Sequence, residues 1–200
     1  MNISRILSVF KSVHKIKDSI VLGLIGGLAG TIVMDLSNFF LWRTNKTEGL
    51  YGHLAGSMIM RSFRTNQTKN FLLGQILHTF TGATLGIPFV YLLKKTGKDH
   101  HLIKGMIFGG LSWGILYDFG QKIGFFYGKA HLTKSHYSSL FNNFLFGITT
   151  AHTVYSLADS SVFPQAERHI AVQHEKPKST TSYSPPEIVD NMAHEQIFYH

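Results

Sequence analysis

Four stretches of this chain are long, apolar and almost free of charge, and that pattern leaves few folds open. The first runs from Ser19 to Trp42, with Asp35 as its only charge. The second, Phe71 to Leu93, contains no Lys, Arg, Asp or Glu. The third, Leu102 to Phe126, carries Lys104 at its start and Asp118 and Lys122 toward its end. The fourth, Tyr137 to Leu157, again has none of the four. Each is about 20 residues or more, enough helix to cross about 30 Å of hydrocarbon. Charged residues are 15% of the chain, against about 25% in an ordinary soluble domain. That is too little charge to solvate four such helices in water. The fold class expected is therefore all-α, an integral membrane four-helix bundle. Residues 19–158 form its spans, after a basic leader over 1–18 and before a flexible polar tail over 159–200.

In the leader, Ile3, Ile6, Leu7, Phe10 and Val13 recur at helical spacing, with Arg5, Lys11 and Lys15 between them. A basic amphipathic helix of this kind lies in a membrane interface; a frayed charged leader is the plainer reading. A cleavable signal peptide is excluded by the length of the apolar stretch that follows. The tail holds four of the five prolines with Ser, Thr, Glu and Lys, a composition that buries little. Lys and Arg near the spans set orientation. Arg5, Lys11, Lys15, Lys17, Lys94, Lys95, Lys98 and Lys104 fall on one side, and Arg43, Lys46, Arg61, Arg64, Lys69, Lys129 and Lys134 on the other. The first set is packed into shorter segments, so both termini are expected in the cytoplasm of a cell with the protein in its plasma membrane. The net charge of +8 suits anionic lipid heads; no folded soluble part carries it toward nucleic acid.

The first and third segments repeat a pattern. GGLAGTIVMD over 26–35 answers GGLSWGILYD over 109–118. The second and fourth echo each other more faintly. Two helical hairpins related by a pseudo-twofold axis along the membrane normal are expected, an arrangement known from transporters. At about 100° per residue, Gly23, Gly27, Thr31, Asp35 and Asn38 share one face of the first segment. Gln75, His78, Thr79, Gly82 and Gly86 do so in the second, Gly110, Gly114, Asp118 and Gln121 in the third, and Asn143, Gly147 and Thr150 in the fourth. Small residues at four-residue spacing let helix backbones approach closely. Gly23, Gly27, Gly82, Gly86, Gly110, Gly114 and Gly147 are the expected packing positions.

At 1.5 Å per residue, antiparallel helices bring Asp35, His78, Asp118 and Asn143 to one depth, with Asn38, Gln75 and Gln121 within about a turn. A carboxylate in hydrocarbon costs about 2.5–3.5 kcal/mol even on lenient scales, so it needs a partner. His78 is in reach of either Asp, and Lys122 of Asp118 at i,i+4. The layer Asp35, Asn38, Gln75, His78, Asp118, Gln121 and Asn143 has two readings. One is interhelical glue, at about 0.6–2 kcal/mol per hydrogen bond. The other is a small proton or cation conductor, since carboxylate and amide oxygens suit hard cations.

The run KGMIFGGLSWGILYDF in the third segment resembles the third span of the YqhR-like small bacterial membrane proteins. GLIGGLAG in the first segment, and a His followed by spaced glycines in the second, resemble those proteins and the YagU-like inner-membrane proteins. The likeness covers about residues 19–158. It implies a four-span topology in a bacterial inner membrane and no mechanism. Asp35 and Asp118 match neither pattern. No cysteine is present, and no catalytic or phosphate-binding motif is found. The chain is read as non-enzymatic, without cofactor or bound metal, a structural or accessory membrane protein. Its expected partners are the lipid bilayer and a second copy or another membrane protein, because four helices enclose little space.

Overall fold

In a computed structural model of the protein, the structure describes residues 15–61, 64, 66–126 and 132–163. Nearly all of the leader and the tail beyond Phe163 lie outside the described residues. Among the described residues the fold is helical, with a single isolated backbone bridge between Ile16 and Ala158. Helix α1 spans Ser19–Arg43, the short α2 Tyr51–Gly56, and α3 Thr68–Thr96. Helix α4, His101–Ser112, runs on into a π-helix, Trp113–Phe119, and then into one turn, α5, Gly120–Lys122. Helix α6, Thr133–Leu157, leads to a 3-10 turn at Ser160–Val162. Helices α1 and α3 are long and apolar enough to cross a membrane.

The helix ends are marked by local chemistry. Asp18 caps α1, its carboxylate accepting from the amides of Ile20 and Val21 at 2.8 Å each, where the exposed amide ends favour an anion. Helix α3 stops at Gly97, whose φ of 82° is a backbone state that costs glycine nothing. The Lys104 ammonium then donates to the carbonyls of Thr96 and Gly97, at 2.9 Å each. The N-terminus of α6 is capped from far along the chain. The Glu48 carboxylate accepts from the Leu132 amide and the Ser135 hydroxyl, at 3.0 Å each.

Helix α1 is central, packing on α3 along one side and on α6 along another, while α4 packs on the outer side of α6. Glycine makes these approaches close. A Cβ on Gly23 would stand 2.6 Å from the Ile87 backbone, and one on Gly27 or Gly86 would run into backbone carbonyls of the facing helix. Gly26 and Gly30 do the same service toward α6, against Val154, Thr150 and Phe146. Gly105 and Gly109 of α4 meet Gly147 and Asn143 of α6. One core cluster joins Leu22, Phe89, Leu93, Ala151 and Val154 with Val162 and Phe163.

Three expectations change here. The hairpins are not packed as a twofold pair: α1 lies tightly on α6, whereas the equivalent pair, α4 and α3, touch little. The polar tail does not begin at 159, because Val162 and Phe163 are buried against α1, α3 and α6, and Ile16 bonds back to Leu157 and Asp159. Third, the segment from Leu102 to Phe126 is not a regular α-helix. Its buried positions run Gly105, Gly109, Ser112 and then Tyr117. The wider i→i+5 turn adds one residue to the repeat. Gly114, five residues past Gly109 and so off that face, has nothing within 4 Å of its Cβ position.

This geometry predicts opposite responses to the same substitution. Gly27→Ala should destabilise by about 1–3 kcal/mol, because the added methyl meets facing backbone that cannot move aside. Gly114→Ala should leave stability unchanged or raise it. Thermal unfolding of the two purified variants in detergent measures the contrast; equal losses would contradict the packing described.

Candidate functional site

The polar residues of α1 and α3 come together around one carboxylate. Gln75 Nε2 donates to Asp35 Oδ2 at 2.6 Å. On the other carboxylate oxygen, Asp35 Oδ1 lies 3.1 Å from His78 Nε2. Gln75 and His78 sit three residues apart on α3, hence on one face. The close α1–α3 contact brings that face within reach of Asp35. The Asp35 and His78 side chains are 27% and 16% exposed, and the His78 Nε2 approach is an ion-pair distance without a well-formed hydrogen bond.

Tyr51 of α2 closes over this pair. Its ring stacks on that of His78, with centroids 4.8 Å apart and planes 14° from parallel. Helix α2 is held there by glycine, since a Cβ on Gly74 would collide with the backbone of Gly52 and Gly56. The Tyr51 hydroxyl is buried beside Ser139 and Asn142 of α6, yet completes no hydrogen bond of good geometry with either. Asn142 is fully buried and accepts from Ser37 Oγ at 2.7 Å, which ties α6 to α1. Farther along, Tyr117 lies near Gln121 and Ser139. Outside the long helices, burial holds the His53 imidazole below its ordinary pKa, and the Ser161 hydroxyl and amide hold the Asp159 carboxyl below its own.

The other expected members of the layer are placed differently. Asn38 is buried, with Nδ2 directed to the Gly49 carbonyl at 3.4 Å. Asn143 donates to the Ser139 carbonyl of its own helix at 2.9 Å. Gln121 is buried, and its Nε2 has no hydrogen-bond partner. Asp118 is not brought to Asp35. It pairs with Lys122 at 2.8 Å on the outer side, with side chains 35% and 71% exposed. Counted at about 100° per residue from Gly109, Asp118 falls on the far side of the rod; the π-helix acts on its neighbour, bringing Tyr117 inward where a regular repeat would have brought Leu116. Among the described residues, no three His, Asp or Glu side chains converge as a metal site would require.

Of the packing glycines, Gly23, Gly27, Gly82, Gly86 and Gly147 lie at helix contacts. Gly110 faces the Phe144 ring, and Gly114 faces open space. Residues 17–165 match the model of a family of unknown function, DUF6789. The chain belongs to that family. The matched residues take in α1 through the buried Phe163 and end close to where the described packing ends. No link to the YqhR-like or YagU-like proteins is shown by this match. No curated protein and no solved structure matches the chain.

Sequence reasoning passed over Tyr51, Ser139 and Glu48. The signal for Glu48 was present, since it is the only carboxylate between Asp35 and Asp99. Tyr51 sits in a short run between spans, where periodicity has too few turns to show a face.

The two aspartates are therefore expected to differ. Asp35→Leu strands the Gln75 amide and should cost about 1–3 kcal/mol. Asp118→Asn removes a partly exposed i,i+4 pair and should cost less than about 1 kcal/mol. Separate thermal unfolding of each DUF6789 variant in detergent checks this, and a larger loss from Asp118→Asn would contradict the placement.

Proposed function

We propose that this DUF6789 chain is a four-span integral membrane protein with a structural or accessory role and no catalytic one. The spans in this reading are α1, α3, the continuous rod from α4 to α5, and α6. The observation that carries it is the inversion of its surfaces. Ile25, Ile32, Leu36, Phe39 and Phe40 of α1, Phe80 of α3 and Ile107 and Ile115 of the third rod point outward. Thr31, Asn38, Gln121, Ser138, Asn142 and Thr150 are buried. A soluble protein of this size does not expose so continuous an apolar surface. In hydrocarbon the same surface is solvated, and interior polar groups supply interhelical hydrogen bonds. Both termini are cytoplasmic in this reading. The plasma membrane is its location, and the basic leader meets anionic lipid heads. The resemblance to the YqhR-like and YagU-like proteins belongs to the same proposal.

A proton-conducting role is the second reading, favoured by the succession of half-buried Asp35 and His78 with buried Tyr51 and Ser139. Asp118 takes no part in it. Proton flux into liposomes carrying the wild-type chain separates the two readings. The accessory role predicts flux equal to that of empty vesicles.

The absence of cysteine makes topology directly testable. Single substitutions Lys46→Cys and Asp99→Cys lie at exposed positions on opposite sides of the proposed membrane. With an impermeant maleimide on intact cells, Lys46→Cys should label and Asp99→Cys should label only after permeabilisation. Leu36→Cys should resist labelling in both states. Labelling of all three in intact cells or in a soluble fraction would refute the four-span reading.

A further inference from the structure

Helix α4 is fastened at its first turn by two contacts. The Lys104 ammonium sits on the carbonyls of Thr96 and Gly97 at the end of α3, at 2.9 Å each. On the other side, the His101 ring is stacked on the Tyr155 ring of α6, with centroids 4.1 Å apart and planes 2° from parallel. The His152 ring, three residues before Tyr155 and on the same face of α6, stands 6.3 Å from that of His101. His101 Nε2 is buried and has no hydrogen-bond partner. The Lys98 carbonyl is the backbone acceptor beside the ring. The next contact along the joint, Gly105 against Gly147 and Ala151, begins about one turn farther on. The stack therefore closes the end of the α4–α6 joint, next to the turn that links α3 to α4.

We propose that His101 is an acid-operated latch: neutral, it holds the α3–α4 turn to the end of α6, and protonated, it lets that turn go. The groups around the ring are set against a positive charge. From α6, His152 faces it and repels an imidazolium once charged itself, while Tyr155 offers only the face of its ring. From the turn come the Lys98 carbonyl and Asp99, whose carboxylate stands by Gly97. His100, the next residue back, is exposed. On α4 itself, Lys104 is engaged at the end of α3. Before α1, the Lys15 ammonium donates to the Ser156 carbonyl at 2.7 Å. Among the described residues, no carboxylate pairs with the His101 ring.

Protonation makes both ring nitrogens donors. Nε2 then carries an N–H where no acceptor stands, and a charged donor left unpaired in a buried position is costly. Tyr155 returns part of that cost, since a cation over a phenol face is attracted to it. It supplies no acceptor, however, and His152 adds repulsion. Opening the stack gives the ring water on every side and removes the cost. The movement has a built-in stop, because the backbone approach of Gly105 to Gly147 keeps the rest of α4 on α6. The latch stands on this geometry alone. Only the side that it senses, the side of the two termini, rests on the four-span reading.

The full chain in detergent tests this, since it has no cysteine of its own. Spin labels on Asp99→Cys and Ser156→Cys report the separation of the turn from α6. From about pH 8 to about pH 5, a range that spans imidazole titration, that separation should lengthen by about 5 Å, one helical turn. Labels on Ile107→Cys and Ser156→Cys, beyond Gly105, should keep their distance. His101→Phe keeps a flat ring on Tyr155 and cannot take a proton, so its Asp99–Ser156 distance should stay short throughout. The imidazole NMR signal that His101→Phe removes identifies His101 in the wild type. It should titrate below about pH 6.5, the value of an unhindered imidazole. His152→Gln should raise that midpoint by about 0.5, the effect of one like charge at about 6 Å in a water-like medium. An unchanged wild-type distance, an equal change in His101→Phe, a midpoint at or above that of an unhindered imidazole, or one that His152→Gln leaves unmoved overturns the latch. The four-span reading is decided separately, by the maleimide labelling.

Discussion

Direct backbone contact between helices is the constraint on which the rest of this structure depends. Helix α1 can serve as the centre only because Gly23 and Gly27 admit α3 on one side, and Gly26 and Gly30 admit α6 on another. A single helix carrying small residues toward two neighbours has little side chain left with which to fill space. Its bulky residues, Ile25, Ile32, Leu36 and Phe39, turn outward. The same closeness sets the polar chemistry. Asp35 reaches Gln75 at 2.6 Å and His78 at 3.1 Å because no intervening methyl groups hold α3 off.

The second determinant is local and lies in the third rod. By inserting one residue into the helical repeat, the π stretch Trp113–Phe119 places Tyr117 at the interior where a regular helix would have placed Leu116. Asp118 lies on the face opposite Gly109 and pairs with Lys122 on the outer side. Asp35 accepts from the Gln75 amide and lies 3.1 Å from the His78 imidazole. The rod touches α3 little, which leaves a seam between them. Glycine packing on three sides and its absence on the fourth account together for an asymmetric arrangement built from similar segments.

The polar interior was largely legible in the sequence where the helix is regular. Asp35, Gln75 and His78 follow from period and depth, and their helices obey that period. In the third rod the reading fails at identifiable residues. Gly110, Gly114 and Asp118 share a face about 100° or more away from the one that packs, because Gly105 and Gly109 hold the approach to Gly147 and Asn143. Tyr51 lies in a six-residue helix, too short for amphipathic pattern to orient. Val162 and Phe163 follow the last span in a region of polar composition, and burial of two residues does not register in a composition average.

By itself, the sequence determined the helical class, the four apolar segments and the small and polar stripe along each. These depend on local chemistry: hydrophobic period, charge depletion and the spacing of glycines. Tertiary structure alone decided which stripes meet, that α1 rather than a twofold axis organises them, and that one pair of rods stays apart. That choice is made by backbone geometry at distances of a few ångströms. A clash of one methyl or a shift of one residue in a helical turn changes the partner without changing the pattern from which it would be read.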